Sequence, residues 1–165
     1  MEVQSNTVGS NVYLFGAANA VALNVNASLF DVSGIAESNS GTGFTPGPGT
    51  SGGSANVSSF GTFNLTINNF DGFTHSADEI TFTLTNTGGT WGTADDVLTP
   101  NANGVDAAAH IFVTSAPADA AHGAIATGFA GESHGNVHLP DAGSTAMLLA
   151  SALAGLGSLR RLIQR

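Results

Sequence analysis

Threonine spacing narrows the fold of this chain before anything else does: Thr81, Thr83 and Thr85 alternate with Ile80, Phe82 and Leu84. Successive side chains of an extended strand point to opposite faces, so this run has one apolar face and one hydroxyl-bearing face, and threonine is itself a good strand former. The same period of two runs through Val21, Leu23, Val25, Ala27 and Leu29, set against Ala22, Asn24, Asn26 and Ser28. It recurs where Phe63, Leu65 and Ile67 alternate with Thr62, Asn64, Thr66 and Asn68. Asn11 to Phe15, His110 to Thr114 and Ala124 to Phe129 are further strand candidates, and the only helical feature before the C-terminal tail is a short turn at Asp106 to Ala109. Half-buried alternating strands need a second layer, so the sequence predicts an all-β body, an antiparallel β-sandwich.

Charge points the same way. Only 9% of the 165 residues are charged, with twelve carboxylates against three basic side chains and a formal net charge of -9. Coiled coils and charged helical bundles are excluded by that scarcity. A nucleic-acid partner is excluded as well, because phosphate must be neutralised by Lys or Arg. Without cysteine there is no disulfide framework, thiolate metal site or cysteine nucleophile.

The three basic residues are Arg160, Arg161 and Arg165, and no Lys or Arg precedes them. Immediately before them lies Ala142 to Leu159, uncharged and dominated by Ala, Leu and Gly. As a helix this run of about 18 residues extends roughly 27 Å, close to the ~30 Å hydrocarbon core of a bilayer. Its serine and threonine hydroxyls can bond back to a carbonyl of the preceding turn. A helix packed on a soluble core is the alternative, but such a helix carries a polar stripe and this one has no charged face. The basic cluster instead predicts a single C-terminal transmembrane-type helix with the acidic body outside and the C-terminus cytoplasmic.

Upstream of the apolar run stands Leu139-Pro140-Asp141-Ala142-Gly143, followed by Ser144 and Thr145. A short Pro-acidic motif, an apolar helix and an arginine cluster at the extreme C-terminus together resemble the PEP-CTERM class of bacterial sorting tails. The variety with Val-Pro-Asp-Ser-Gly is the most similar, although Leu139 stands where Val is usual and Ala142 where Ser is usual. That resemblance implies an exosortase-type processing enzyme as partner, which would recognise residues 139–143, remove the helix and pass the protein to the cell surface or matrix. It implies no catalysis by this chain. Proline at 140 biases the preceding residues to extended geometry, so the motif is expected as an accessible strand at the membrane surface. Exported proteins of this kind carry a signal peptide, yet Met1-Glu2 has no positive n-region and Val12 to Phe15 is too short for an apolar one. The expectation is either a start further upstream or insertion of the tail without an N-terminal signal.

The domain reading is a β-sandwich over 1–130, a spacer over 131–138 and a sorting tail over 139–165. Within the tail the motif occupies 139–145, the apolar helix 142–159 and the basic cluster 160–165. Ser38 to Ser59 is rich in Gly, Ser and Pro and is expected as a flexible surface excursion. Phe60 to Phe129 also resembles, more loosely, the ectodomains that accompany PEP-CTERM tails, and no activity comes with that likeness.

Candidate chemistry in the body is sparse. His75, His110, His122, His134 and His138 lack HExxH spacing, and there is no Gly-x-Ser-x-Gly elbow. The pairs Asp78-Glu79 and Asp95-Asp96 are adjacent, and neighbours on a strand point to opposite faces, so neither makes a dyad by itself. No cofactor is required; the donor set for a calcium ion, if one binds, is Asp95, Asp96, Asn101, Asn103 and Asp106, around Pro100 and Gly104. Asn and Asp are equally the usual turn residues, and the run lacks a complete EF-hand loop. Two function classes follow: a noncatalytic structural or adhesive surface protein, or a glycan-binding or glycan-processing module. Matrix polysaccharide is the candidate partner, and a pull-down on it, compared between the native chain and Trp91→Ala, separates the two classes. Trp91 and Tyr13 are the only Trp and Tyr, too few for a broad sugar-stacking platform.

Overall fold

A computed structural model of the chain describes residues 1–5, 7–8, 11–39, 46–68, 75–114 and 125–132. Met1–Gly135 and Asn136–Arg165 form two separate units, and every described residue belongs to the first. The chain opens with β1 (Glu2–Gln4), β2 (Thr7–Val8), β3 (Asn11–Phe15), β4 (Val21–Leu23) and β5 (Phe30–Ser38). Short strands β6 (Thr50–Gly52), β7 (Ala55–Asn56), β8 (Thr62–Phe63) and β9 (Leu65–Asn68) follow. The last three are β10 (Glu79–Asn86), β11 (Ala107–Thr114) and β12 (Ala126–Glu132). Among the described residues the only helical segments are two 3₁₀ turns, Ser58–Phe60 and Ala94–Asp96, so the fold is all-β with antiparallel pairing throughout.

A three-stranded sheet has the order β1-β10-β5, and a seven-stranded sheet runs β2-β3-β11-β4-β9-β6 with β12 also paired to β11. Strand β11 organises the larger sheet. One of its edges is taken by β12 from Ala107 to Val113, so β4 and β3 share the other, at Ala107–Ala109 and Ile111–Thr114. Residues 16–20 bulge out between them, opposite His110, whose backbone N–H reaches the Asn19 carbonyl at 3.1 Å. Ala17 and Asn19 take positive φ, 63° and 58°, to make that excursion.

The two sheets face each other across one core. Phe15, Val21, Leu23, Leu65 and Ile67 of the larger sheet meet Ile80 and Phe82 of the smaller, all nearly fully buried. The larger sheet is also covered behind: Ala22 and Ala108 pack with Val57, Phe63 and Val105, and Leu14 packs with Phe112. A small β7-β8 ladder and the 3₁₀ turn at Ser58–Phe60 supply part of that cover.

Strand β10 follows its predicted alternation, with Ile80 and Phe82 buried and Thr83 and Thr85 exposed. The run from Val21 to Leu29 does not continue as one strand. It leaves the sheet after Leu23, touches Leu98 through a lone bridge at Val25, and exposes 62% of Leu29. The cause is Asn64, whose amide accepts from the Val25 N–H and donates to the Val25 carbonyl, each at 2.8 Å, replacing a ladder rung with a side chain. At the same residue the next run changes sides, placing Phe63 in the rear cluster and Leu65 and Ile67 in the intersheet core.

The expected turn at Asp106 to Ala109 is strand from Ala107 onward. Its alanines are paired on both edges, and a full set of ladder bonds outweighs the small helical preference of three residues. The Gly/Ser-rich run from 38 to 59 is likewise more ordered than its composition implies: β6 pairs with β9, β7 pairs with β8, and Val57 is fully buried. Residues 40–45 of that run lie outside the described residues. Strand β5 escapes a period-two reading because Gly34 (φ 60°) and Ile35 together oppose Phe82, a bulge that shifts the inward positions from Phe30 and Val32 to Ile35. Strand β12 runs to Glu132, so 131 and 132 belong to the body and not to a spacer.

Candidate functional site

At the open side of the intersheet core, where β1 ends the smaller sheet, lies a cavity of about 600 Å³. Val3 of β1 forms one wall, and Phe15, Val21 and Leu23 of β3 and β4 form another. The floor is β11 with Ala107, Ala109 and Ile111. Strand register explains why space is left there. Residues directly opposed across a ladder share a face, so the partners of Ala107, Ala109 and Ile111 on β12 are Glu132, Ala130 and Gly128. Four of those six positions carry alanine or glycine, and side chains that small leave the space over them unfilled.

Ser5 and Glu132 also line the cavity. Glu2 and Gln4, opposite Thr81 and Glu79, share the outer face of the smaller sheet, where the Gln4 amide donates to the Glu2 carboxylate and, at 3.0 Å, to Glu79. The Met1 ammonium is used by the Phe82 carbonyl at 2.6 Å, which extends the pairing of β1 with β10. Tyr13 also reaches the cavity wall. Apolar side chains dominate this lining, so the arrangement is suited to holding an apolar group.

Three of the sequence-predicted ion ligands hold turns. Asn101 donates to the Phe60 carbonyl at 2.9 Å and accepts from the N–H groups of Asn103 and Val105. Asn103 donates to the Ser59 carbonyl at 3.0 Å. Together they pin the 3₁₀ turn at Ser58–Phe60, and Gly61 (φ 94°) is obligatory behind it, since a Cβ there would lie 2.9 Å from the Asn103 amide nitrogen. Asp96 accepts from the Thr93 N–H and hydroxyl at 2.8 and 3.0 Å, capping its own 3₁₀ turn. Asp95 is exposed on that turn, and Asp106 is buried at the start of β11. Among the described residues no group of three or more His, Asp or Glu side chains is placed to hold a metal.

Other candidates resolve into structural roles. Trp91 donates its indole N–H to the Asn26 carbonyl at 2.8 Å and packs, half-buried, on the intersheet core. His110 stacks on Phe129 at 4.5 Å, with Nε2 2.8 Å from the Thr127 hydroxyl and Nδ1 3.3 Å from the Ala18 carbonyl. It fastens the bulge at 16–20 to β12. His75 is half-buried, and His122, His134 and His138 lie outside the described residues, as do Leu139, Pro140, Asp141, Ala142, Gly143, Arg160, Arg161 and Arg165. Among the described residues no helix is long and apolar enough to cross a membrane. The cavity itself was not predicted; its trace in the sequence is the small-residue spacing Ala126, Gly128, Ala130 beside the triplet Ala107 to Ala109.

No known family, curated protein or solved structure matches this chain.

Proposed function

We propose that this chain is an exported bacterial cell-surface or extracellular-matrix protein, a noncatalytic antiparallel β-sandwich carried by a C-terminal sorting and anchoring tail of the PEP-CTERM kind. The observation that carries the reading is charge segregation: no Lys or Arg up to Leu159, then Arg160, Arg161 and Arg165 directly after an uncharged apolar run. In this reading Ala142 to Leu159 crosses the inner membrane as a helix with the arginines in the cytoplasm. Leu139 to Gly143 is the motif that an exosortase-type enzyme processes, and matrix polysaccharide is the natural environment of the acidic body. The body is consistent with a structural role, because Asn101 and Asn103 hold a turn and the single Trp donates to a backbone carbonyl and packs on the core. No observation favours the glycan-processing alternative.

Mass spectrometry of the mature protein from its native host tests the proposal. The expected result is a chain ending within or near residues 139–143, and Pro140→Ala with Asp141→Ala is expected to leave a longer, membrane-held form. Replacing all three arginines with Glu should weaken retention of the C-terminus and disturb orientation. Recovery of soluble protein still ending at Arg165 would overturn the sorting assignment.

A further inference from the structure

The cavity between the sheets has a size and chemistry that the sorting reading does not use. At ~30 Å³ per water, 600 Å³ is room for roughly twenty waters, and the walls offer them few partners beyond the mouth. Volumes of about 300–1,000 Å³ with mostly apolar lining and a few polar groups at one end are typical of small-molecule sites. The small residues that create the space, Ala107, Ala109 and Ala130, sit on paired strands of the larger sheet, so the floor is rigid and the volume is built in rather than a gap left by a loop.

Charge selects the occupant. Glu132 lies on the cavity side of β12, opposite Ala107, while Glu2, opposite Thr81, is turned to the outer face of the smaller sheet. No Lys or Arg occurs anywhere in residues 1–159, and the nearest cation, the Met1 ammonium, is held by the Phe82 carbonyl. A carboxylate or phosphate head would meet the like charge of Glu132, whereas a protonated nitrogen would meet Glu132 as its counter-charge with its hydrocarbon body over the alanines. We propose that the cavity is a binding site for a small apolar amine, its alkyl or ring portion between Val3 and the alanine floor of β11 and its ammonium group on Glu132.

The test uses the full-length chain with phosphatidylcholine vesicles present, and hexylamine, hexanol and hexanoate as probes. Thermal unfolding is followed through Trp91, the sole Trp, which is not part of the cavity lining. Saturating hexylamine is expected to raise Tm by a few degrees through mass action, with hexanol binding about two- to five-fold more weakly and hexanoate not at all. Glu132→Gln should abolish the preference for amine over alcohol while leaving hexanol binding in place. Ala109→Leu should fill the cavity and remove the response to both probes, and Ala107→Leu serves as the independent filling variant should the first unfold. Absence of any hexylamine response in the native chain would overturn the proposal. So would an undiminished response in both filling variants, or equal binding of hexylamine and hexanoate.

Discussion

In the three-stranded sheet, β10 buries Ile80 and Phe82 and turns Thr83 and Thr85 to solvent, whereas in the seven-stranded sheet β4 buries Val21, Ala22 and Leu23 in succession. Strand β9 does the same with Leu65, Thr66 and Ile67. The difference is not in the strands' own propensity. One sheet has a core on one face, and the other has a core in front and a second, formed with Val57 and Phe63, behind. Identical local patterns therefore carry different energetic weight: a threonine on the outer face of β10 meets water, and Thr66 on the rear face of β9 is 3% exposed and donates to the Gly53 carbonyl at 3.3 Å.

The sharpest way to break this comparison is to remove the rear layer. Phe63→Ala empties a fully buried site and is expected to cost about 3–5 kcal/mol, read as a fall in the urea midpoint at constant slope. A cost near zero would mean that the larger sheet has no true rear core. Asn64→Ala is next. It removes both contacts with the Val25 backbone and leaves those groups without their partner, for an expected loss of about 2 kcal/mol. The same variant should speed hydrogen exchange at the Val25 amide while sparing β10, which a global effect would not do.

The smallest and most discriminating test is a matched pair. Thr66→Val and Thr83→Val make the same isosteric change on the two sheets. The first gives up a buried hydrogen bond and is expected to cost about 1 kcal/mol. The second, on an exposed face, should stay within about 0.5 kcal/mol of the parent. Equal effects at the two sites would show that the faces do not differ in burial.

How much of this was legible in the chain follows from what each residue depends on. The alternation at Ile80 to Thr85 could be read directly, because one buried and one solvated face map onto period two without reference to any other segment. Val21 to Leu29 looked equally clear and was not, since the strand is ended by a side chain 39 positions away, Asn64, acting on Val25. The alanine triplet 107–109 resembled a helical turn because propensity is local, and it became the floor of the cavity because β4 and β12 pair with it from both sides.

The segregation of charge, the absence of basic groups from the first 159 residues, the order of the C-terminal tail and the all-β class belong to the sequence alone, since each is a property of neighbours in the chain. Tertiary structure decided which face of each strand is buried, that Asn101 and Asn103 hold the Ser58–Phe60 turn, and that a cavity opens over Ala107, Ala109 and Ala130. Those outcomes depend on register between strands tens of residues apart, and register is settled only when competing pairings and packings are weighed together in the folded state.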